Sequence, residues 1–389
     1  MRQPVYLDNH ATTPLDPRVL EAMLPYFGPK FGNAASRSHR FGWEAQAAVE
    51  HARRQIADLI GALPEEIIFT SGATESNNLA LKGAVEASRA EPKHIVTAAT
   101  EHRAVLDPAQ HLERQHTTLT VLPPLPNGML ELDRLASALR DDSILVSVMW
   151  ANNEIGTLQP IGEIGALCRR RGILFHSDAA QALGRVPIQV NNQNIDLMSL
   201  TAHKIYGPKG IGALYVRRAA RSRILAQLDG GGHEFGLRSG TLNVPAIVGF
   251  GAAAQICAQE MKAEAERVRQ LRDRLQHRLL TDLDGAAVNG SIANRLPNNL
   301  NIRFAEVDAS AILTSLPDVA LSSGSACSSA SPQPSHVLRA IGLSDAAARS
   351  SIRFGLGRFN TAEEIEFAAG RVVETVQTLR QTAPGAARG

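Results

Sequence analysis

The chain is poor in cysteine and in aromatic residues, has no excess of either charge, and contains no long apolar run. Its three cysteines, Cys168, Cys257 and Cys327, cannot close a disulfide framework, and no CxxC pair marks a zinc site, so no metal is expected. Aromatic residues are 4% of the total, too few for a base-stacking surface. Lys and Arg number 40 against 38 Asp and Glu, a balance that argues against a nucleic-acid or polyanion binder. No apolar stretch approaches the length of a membrane-spanning helix. The segment from Met1 to His10 has no signal-peptide core and is not Arg- and Ser-rich like a transit peptide. A cytoplasmic protein with no membrane and no direct nucleic-acid contact is the expectation.

What is present is length and alternation. The 389 residues, 44% hydrophobic, suit two domains with a sizeable core. Short apolar runs (67–69, 94–97, 144–150, 172–177, 197–200) alternate with helical segments. Such βα alternation predicts an α/β fold with a mostly parallel sheet covered by helices. Open α/β sheets bind ligands at the carboxyl ends of their strands. That edge would gather Thr74, His102, Asn153, Asp178, His203 and Lys204, each of which comes after an apolar run. Beyond Gly251 the texture changes. Residues 252–283 read as one long charged helix with Met261, Val268, Leu271, Leu275 and Leu279 on one face. Strands are expected at 299–304, 319–321 and 350–354, and a last helix from Ala362. The expected organisation is an N-terminal segment, 1–14, packed with a small domain; a large domain, 15–260; and a smaller C-terminal α/β domain, 261–389.

Several residues carry chemistry. A lysine at a strand's end, Lys204 in Thr201-Ala202-His203-Lys204, can be desolvated in a cleft, which frees its amine to attack an aldehyde. Asp178 ends the run His176-Ser177-Asp178. A Schiff-base lysine and an aspartate facing a pyridinium nitrogen are what a pyridoxal-phosphate enzyme needs. Taken singly, each also reads as a solvated loop charge. Ser71-Gly72-Ala73-Thr74 joins a strand to a helix whose first N–H groups can hold a phosphate, or is an ordinary N-cap. Gly207-Pro208-Lys209-Gly210 lacks Walker spacing and reads as a turn. Cys168 and Cys257 sit among helix formers and read as small core residues. Cys327 lies in a run of Ser, Gly and Ala with nothing bulky to bury it.

Taken in order, the motifs resemble those of a known family. They are Ala11-Thr12-Thr13-Pro14, residues 69–78, Thr100-Glu101-His102, Asn152-Asn153-Glu154-Ile155-Gly156, residues 176–181, residues 202–212, Arg238-Ser239-Gly240-Thr241, residues 323–327 and Ser351-Ile352-Arg353-Phe354. Over nearly its whole length the chain resembles cysteine desulfurases of the NifS/IscS type, class-V aminotransferase-like enzymes of pyridoxal-phosphate fold type I. The resemblance implies pyridoxal 5'-phosphate as cofactor and L-cysteine as substrate, with alanine formed and sulfur left on Cys327 as a persulfide. It implies that Lys204 holds the cofactor covalently, Asp178 pairs with the ring nitrogen, Gln181 touches the ring hydroxyl, and His102 stacks on the ring and assists proton transfer. Asn153 would line the ring. Ala73, Thr74, Thr201, Ala202 and His203 would hold the phosphate, with Thr241 arriving from the second subunit of a homodimer. Arg353 would take the substrate carboxylate, and Asn33 is a weaker substrate-side candidate. The sulfur would pass to an acceptor or scaffold protein, with iron–sulfur cluster assembly the leading destination. Selenocysteine lyase activity, or a desulfurase dedicated to tRNA or DNA modification, are the alternatives. The chain departs from the family pattern at Ala34 (usually Pro), Thr201 (often Ser), Phe235 (often Arg) and Ser328 (Thr). It also ends soon after its last helix, where housekeeping members carry a longer tail.

Overall fold

The computed structural model describes residues 4–324 and 333–382. Its centre is a seven-stranded sheet in the spatial order Ile67–Thr70, Gly212–Val216, Leu197–Thr201, Leu174–Asp178, Ser143–Ser147, Lys93–Ala98, Thr117–Leu122. Gly212–Val216 runs antiparallel to both neighbours; every other pairing is parallel. The mostly parallel α/β architecture is as expected.

Period-two alternation explains how the sheet is buried on both faces. Phe69, Val146, Phe175 and Met198 point into one hydrophobic cluster. Their neighbours Ile68, Leu145, Leu174 and Leu197 point into the cluster on the opposite face. Six strands run the same way, so their carboxyl ends, and the loops that leave them, gather at one edge. Thr117–Leu122, which caps the sheet's far edge, was not anticipated; its three threonines dilute the apolar signal.

The long helix spans Val244–Asp282, eight residues more at its start than the sequence suggests. Pro245 and Gly251 read as breakers, yet each has a place. Pro245 lies in the first turn, where its missing N–H costs nothing, and the Asn243 side chain accepts from Ala246 N–H at 3.3 Å. Gly251 lets helix Arg40–Ile60 approach closely: a methyl group there would stand 2.6 Å from Ala52 Cα. The helix's second half, through Val268, Leu271, Leu275 and Leu279, packs into a separate hydrophobic cluster.

That cluster covers a three-stranded antiparallel sheet ordered Ser351–Gly355, Asn299–Phe304, Ala286–Val288. The N-terminal strand Val5–Tyr6 pairs in parallel with Val319–Ala320, and Val5 and Leu7 join the same cluster. Asn9 N–H then donates to Gly355 O, and the chain continues toward the edge of the large sheet. Among the described residues no helix is long and apolar enough to cross a membrane.

One buried histidine predicts an acid sensitivity. His176 is fully buried in the sheet, with Nδ1 against Ser147 Oγ at 2.8 Å and Nε2 against Ser199 Oγ at 3.0 Å. Burial pushes its pKa down to about 3. The unfolded chain therefore takes up this proton first, and stability is lost as pH falls from about 6.5 toward 3. Between pH 7 and 5 the wild-type protein should lose about 2 kcal/mol more than His176→Gln in urea unfolding. An identical pH dependence in the two proteins would clear His176 of the effect.

Candidate active site

The site begins where strand Ile67–Thr70 turns into helix Ala73–Ala87. Gly72, with φ +153°, makes a turn that L side chains rarely adopt, and no side chain caps the helix. Gly72, Ala73 and Thr74 line a cavity of about 440 Å³, so the helix's free N–H groups open onto it.

Asp178, at the end of its strand, lines the same cavity and is 5% exposed. Asn77 Nδ2 donates to its Oδ2 at 2.8 Å, and Ala180 N–H donates to its Oδ1 at 2.9 Å. Both oxygens are thereby fixed. Lys204 lies just beyond strand Leu197–Thr201 and also lines the cavity. Its Nζ donates to the carbonyls of His10 and, at 2.7 Å, Ala11. His203 and Thr201 are cavity neighbours, and His203 Nδ1 lies 3.1 Å from Thr12 Oγ1. Burial, reinforced by Lys204 and Lys209, pushes the His203 pKa down to about 4.

His102 caps helix Arg103–Glu113, its Nδ1 accepting from Ala104 N–H at 3.1 Å. That contact leaves the proton of the neutral ring on Nε2. Burial lowers its pKa, with Asp178 pulling the other way, so the ring is neutral at neutral pH. Asn153 is buried and lines the cavity. Gln181 is there too, but both ends of its amide are engaged by the N-terminal segment: Oε1 meets His10 Nδ1 at 2.8 Å, and Nε2 donates to His10 O at 3.0 Å.

Arg353, on strand Ser351–Gly355, reaches the cavity from the smaller sheet and is 1% exposed. Nη1 donates to Asn153 O at 2.9 Å and Nη2 to Asp8 Oδ1 at 2.7 Å. Its Nε–H is buried without a protein partner.

Three expected residues stand apart. Ala202 packs in the core beneath the site, and its N–H already donates to Ile211 O at 3.2 Å, so it has nothing to offer a phosphate. Asn33 lies on an exposed loop, its Oδ1 accepting from Ala35 N–H at 2.9 Å. Thr241 is exposed and outside the cavity's lining. Cys327 lies outside the described residues, as does Ser328. Phe235, half exposed with φ +57°, places its ring over the guanidinium groups of Arg53 and Arg221.

The sequence reasoning missed His10, Thr12 and Asp8. His10 is buried in the cavity wall with Nε2 unpartnered, and burial pushes its pKa down to about 3. The missed signal was a polar Asp8-Asn9-His10 directly after an apolar Val5-Tyr6-Leu7.

The donor set fits pyridoxal phosphate. An amine for the aldehyde, a fixed carboxyl for the ring nitrogen and an uncapped helix start for the phosphate share one cavity. His10 Nε2, Asn153 Oδ1 and Arg353 Nε are buried polar atoms there without protein partners. Such orphans are costly unless something binds them.

Residues 5–367 match the family model described as aminotransferase class-V. A cysteine desulfurase IscS of Anaeromyxobacter sp. (strain Fw109-5) is 58% identical over 384 residues, 99% of this chain and 95% of that protein. A solved NifS-like protein superposes with a TM-score of 0.90 at 35% identity, covering 97% of this chain and all of the other. A structure described as SspA in complex with cysteine gives 0.82 at 38% identity, over 92% of this chain and all of that one.

Proposed function

This chain belongs to the aminotransferase class-V family and is a pyridoxal-phosphate-dependent cysteine desulfurase, and we propose that it moves the sulfur of L-cysteine onto Cys327. The observation that carries the residue assignment is the meeting of Lys204, Asp178, the start of helix Ala73–Ala87 and Arg353 on one cavity. Lys204 would hold the cofactor, Asp178 its ring nitrogen, and Gly72, Ala73, Thr74, Thr201 and His203 its phosphate. When bound, the cofactor supplies an electron sink for the substrate's α-carbon.

The protein's own residues do the rest. Arg353 offers its Nε–H to the substrate carboxylate, while Asp8 and Asn153 O hold its other end. Lys204 Nζ moves the α-proton, and His102, which holds its proton on Nε2, assists the transfer. The Cys327 thiolate attacks the substrate's Sγ. The new S–S bond forms as the Cβ–S bond breaks, and the carbon side takes up protons to leave as alanine. Gly324 supplies the tether. A methyl group on it would stand 3.6 Å from Oε2 of Glu154, the neighbour of cavity-lining Asn153.

Feeding the enzyme L-cysteine with a thiol reductant tests this: alanine and sulfide should appear one for one. Arg353→Lys keeps a charge for Asp8 but loses the planar fork. It should raise the KM for cysteine about thirtyfold, the size of about 2 kcal/mol of paired charge, and leave the cofactor spectrum intact. An unchanged KM would remove Arg353 from the substrate site.

We place the domain division at 14/15 and 260/261, supported by the separate hydrophobic clusters and by the N-terminal strand's pairing with Val319–Ala320. The working form is a homodimer in which Thr241, exposed here, completes a second copy's phosphate site. A dimer by sedimentation is the expected result; a fully active monomer would contradict it. Cytoplasmic location fits free thiols at Cys168 and Cys257, and cell fractionation checks it. The sulfur acceptor is a protein of iron–sulfur cluster assembly, supported by the IscS relative, and co-purification would identify it.

A further inference from the structure

The two ends of the segment that bears Cys327 meet the large sheet's edge at one buried carboxyl group. Glu154 is 1% exposed. Its backbone is pinned on both sides: N–H donates to Asn152 Oδ1 at 2.8 Å, and its carbonyl accepts from Asn299 and Asn301 Nδ2 at 3.2 Å each. On the near side, a methyl group on Gly324 would stand 3.6 Å from Glu154 Oε2. Gly324 is tied through Ser322 Oγ, which donates to its carbonyl at 2.7 Å, and Ser322 in turn pairs with the backbone of Arg353. On the far side, Ser335 Oγ donates to the same Glu154 Oε2, and His336 Nε2 lies 2.9 Å from Glu101 O. Both receiving residues sit one position from a cavity-lining one, Asn153 and His102.

We propose that Glu154 is a positioning residue for sulfur transfer, holding Gly324 and Ser335 together at the cavity's edge so that Cys327 is presented to the substrate sulfur. This role presupposes Cys327 as the acceptor proposed above. Glu154 does not line the cavity. A hydrogen bond to a carboxyl group that no solvent reaches is stronger than one at the surface. Gly324 and Ser335 are eleven positions apart, so this one side chain stands at both flanks and is bonded to the far one.

Ser335 also caps helix His336–Ala340, accepting from Leu338 N–H at 3.2 Å. The test must separate the two duties. Ser335→Asp caps as well as serine but cannot donate to Glu154 and sets two carboxyl groups against each other. A capping role alone predicts wild-type behaviour. Positioning predicts a kcat lower by about tenfold or more, the scale of one charge-assisted hydrogen bond. KM, the resting cofactor spectrum and the spectral change on adding L-cysteine should all stay as in the wild type. In Ser335→Asp/Glu154→Gln the new amide can donate to the new carboxyl, and kcat should return to within about threefold. A wild-type kcat in Ser335→Asp would overturn the role, as would a loss that Glu154→Gln does not relieve, or a rise in KM of matching size. Cys327→Ala is the companion arm. If it is inactive while Ser335→Asp is normal, only the role of Glu154 falls; if it is fully active, the acceptor assignment falls first.

Discussion

Cys327→Ala is expected to bind pyridoxal phosphate and L-cysteine as the wild type does, and to release neither alanine nor sulfide. The reason lies in what the other thiols cannot do. Cys168 is fully buried in the main core, where burial pushes its pKa up to about 12. Cys257, 2% exposed in the same core, is pushed up to about 11 by burial. The thiolate is the nucleophile, and at neutral pH neither residue supplies one. Turnover in Cys327→Ala should fall at least about a thousandfold, as when an enzyme loses its nucleophile. Cofactor binding should survive, because every group assigned to it lies elsewhere. Cys168→Ala and Cys257→Ala should remain active. Wild-type turnover in Cys327→Ala would overturn the assignment.

Lys204→Ala should lose the covalently held cofactor. The wild-type protein should be yellow, and borohydride should both bleach it and fix the cofactor to the chain. In the variant, any cofactor held by Asp178 and the helix start should wash away on dialysis, and borohydride should fix none. Activity should fall at least about a thousandfold, since the covalent anchor and the base that moves the α-proton are the same amine. Without cofactor, Lys204 Nζ sits on the carbonyls of His10 and Ala11, so among the cofactor-free proteins the variant also frees the N-terminal segment. Faster hydrogen exchange at residues 8–12 should accompany the loss. Cofactor still fixed to the variant by borohydride would show that another lysine is the anchor.

The large sheet was legible because its strands are buried on both faces and therefore read as apolar runs. Asp178, Lys204 and His102 were legible because each is a chemical group placed directly after such a run. The start of helix Val244–Asp282 was hidden, since Pro245 and Gly251 act there through a first turn and a close helix contact. Propensity counts both as breakers. His10 and Asp8 were hidden for a different reason: their place depends on a two-residue strand pairing with Val319–Ala320, more than 300 positions away. Nothing local announces such a contact. Ala202 was expected among the phosphate ligands through the family resemblance, but it opens the short turn Ala202–Lys204 after the strand and packs into the core. Phe235 was noted as a departure without a use; its ring covers Arg53, which is paired at 2.8 Å with Glu234 beneath it.

The most direct test of the central claim is where sulfur goes in a single turnover. Wild-type holoenzyme is mixed with one equivalent of L-cysteine without reductant, and its peptides are weighed by mass spectrometry. The peptide containing Cys327 should carry one added sulfur atom for each alanine released, and the Cys168 and Cys257 peptides none. Alanine released in full with no sulfur on Cys327, or with sulfur on either buried cysteine, would contradict the account.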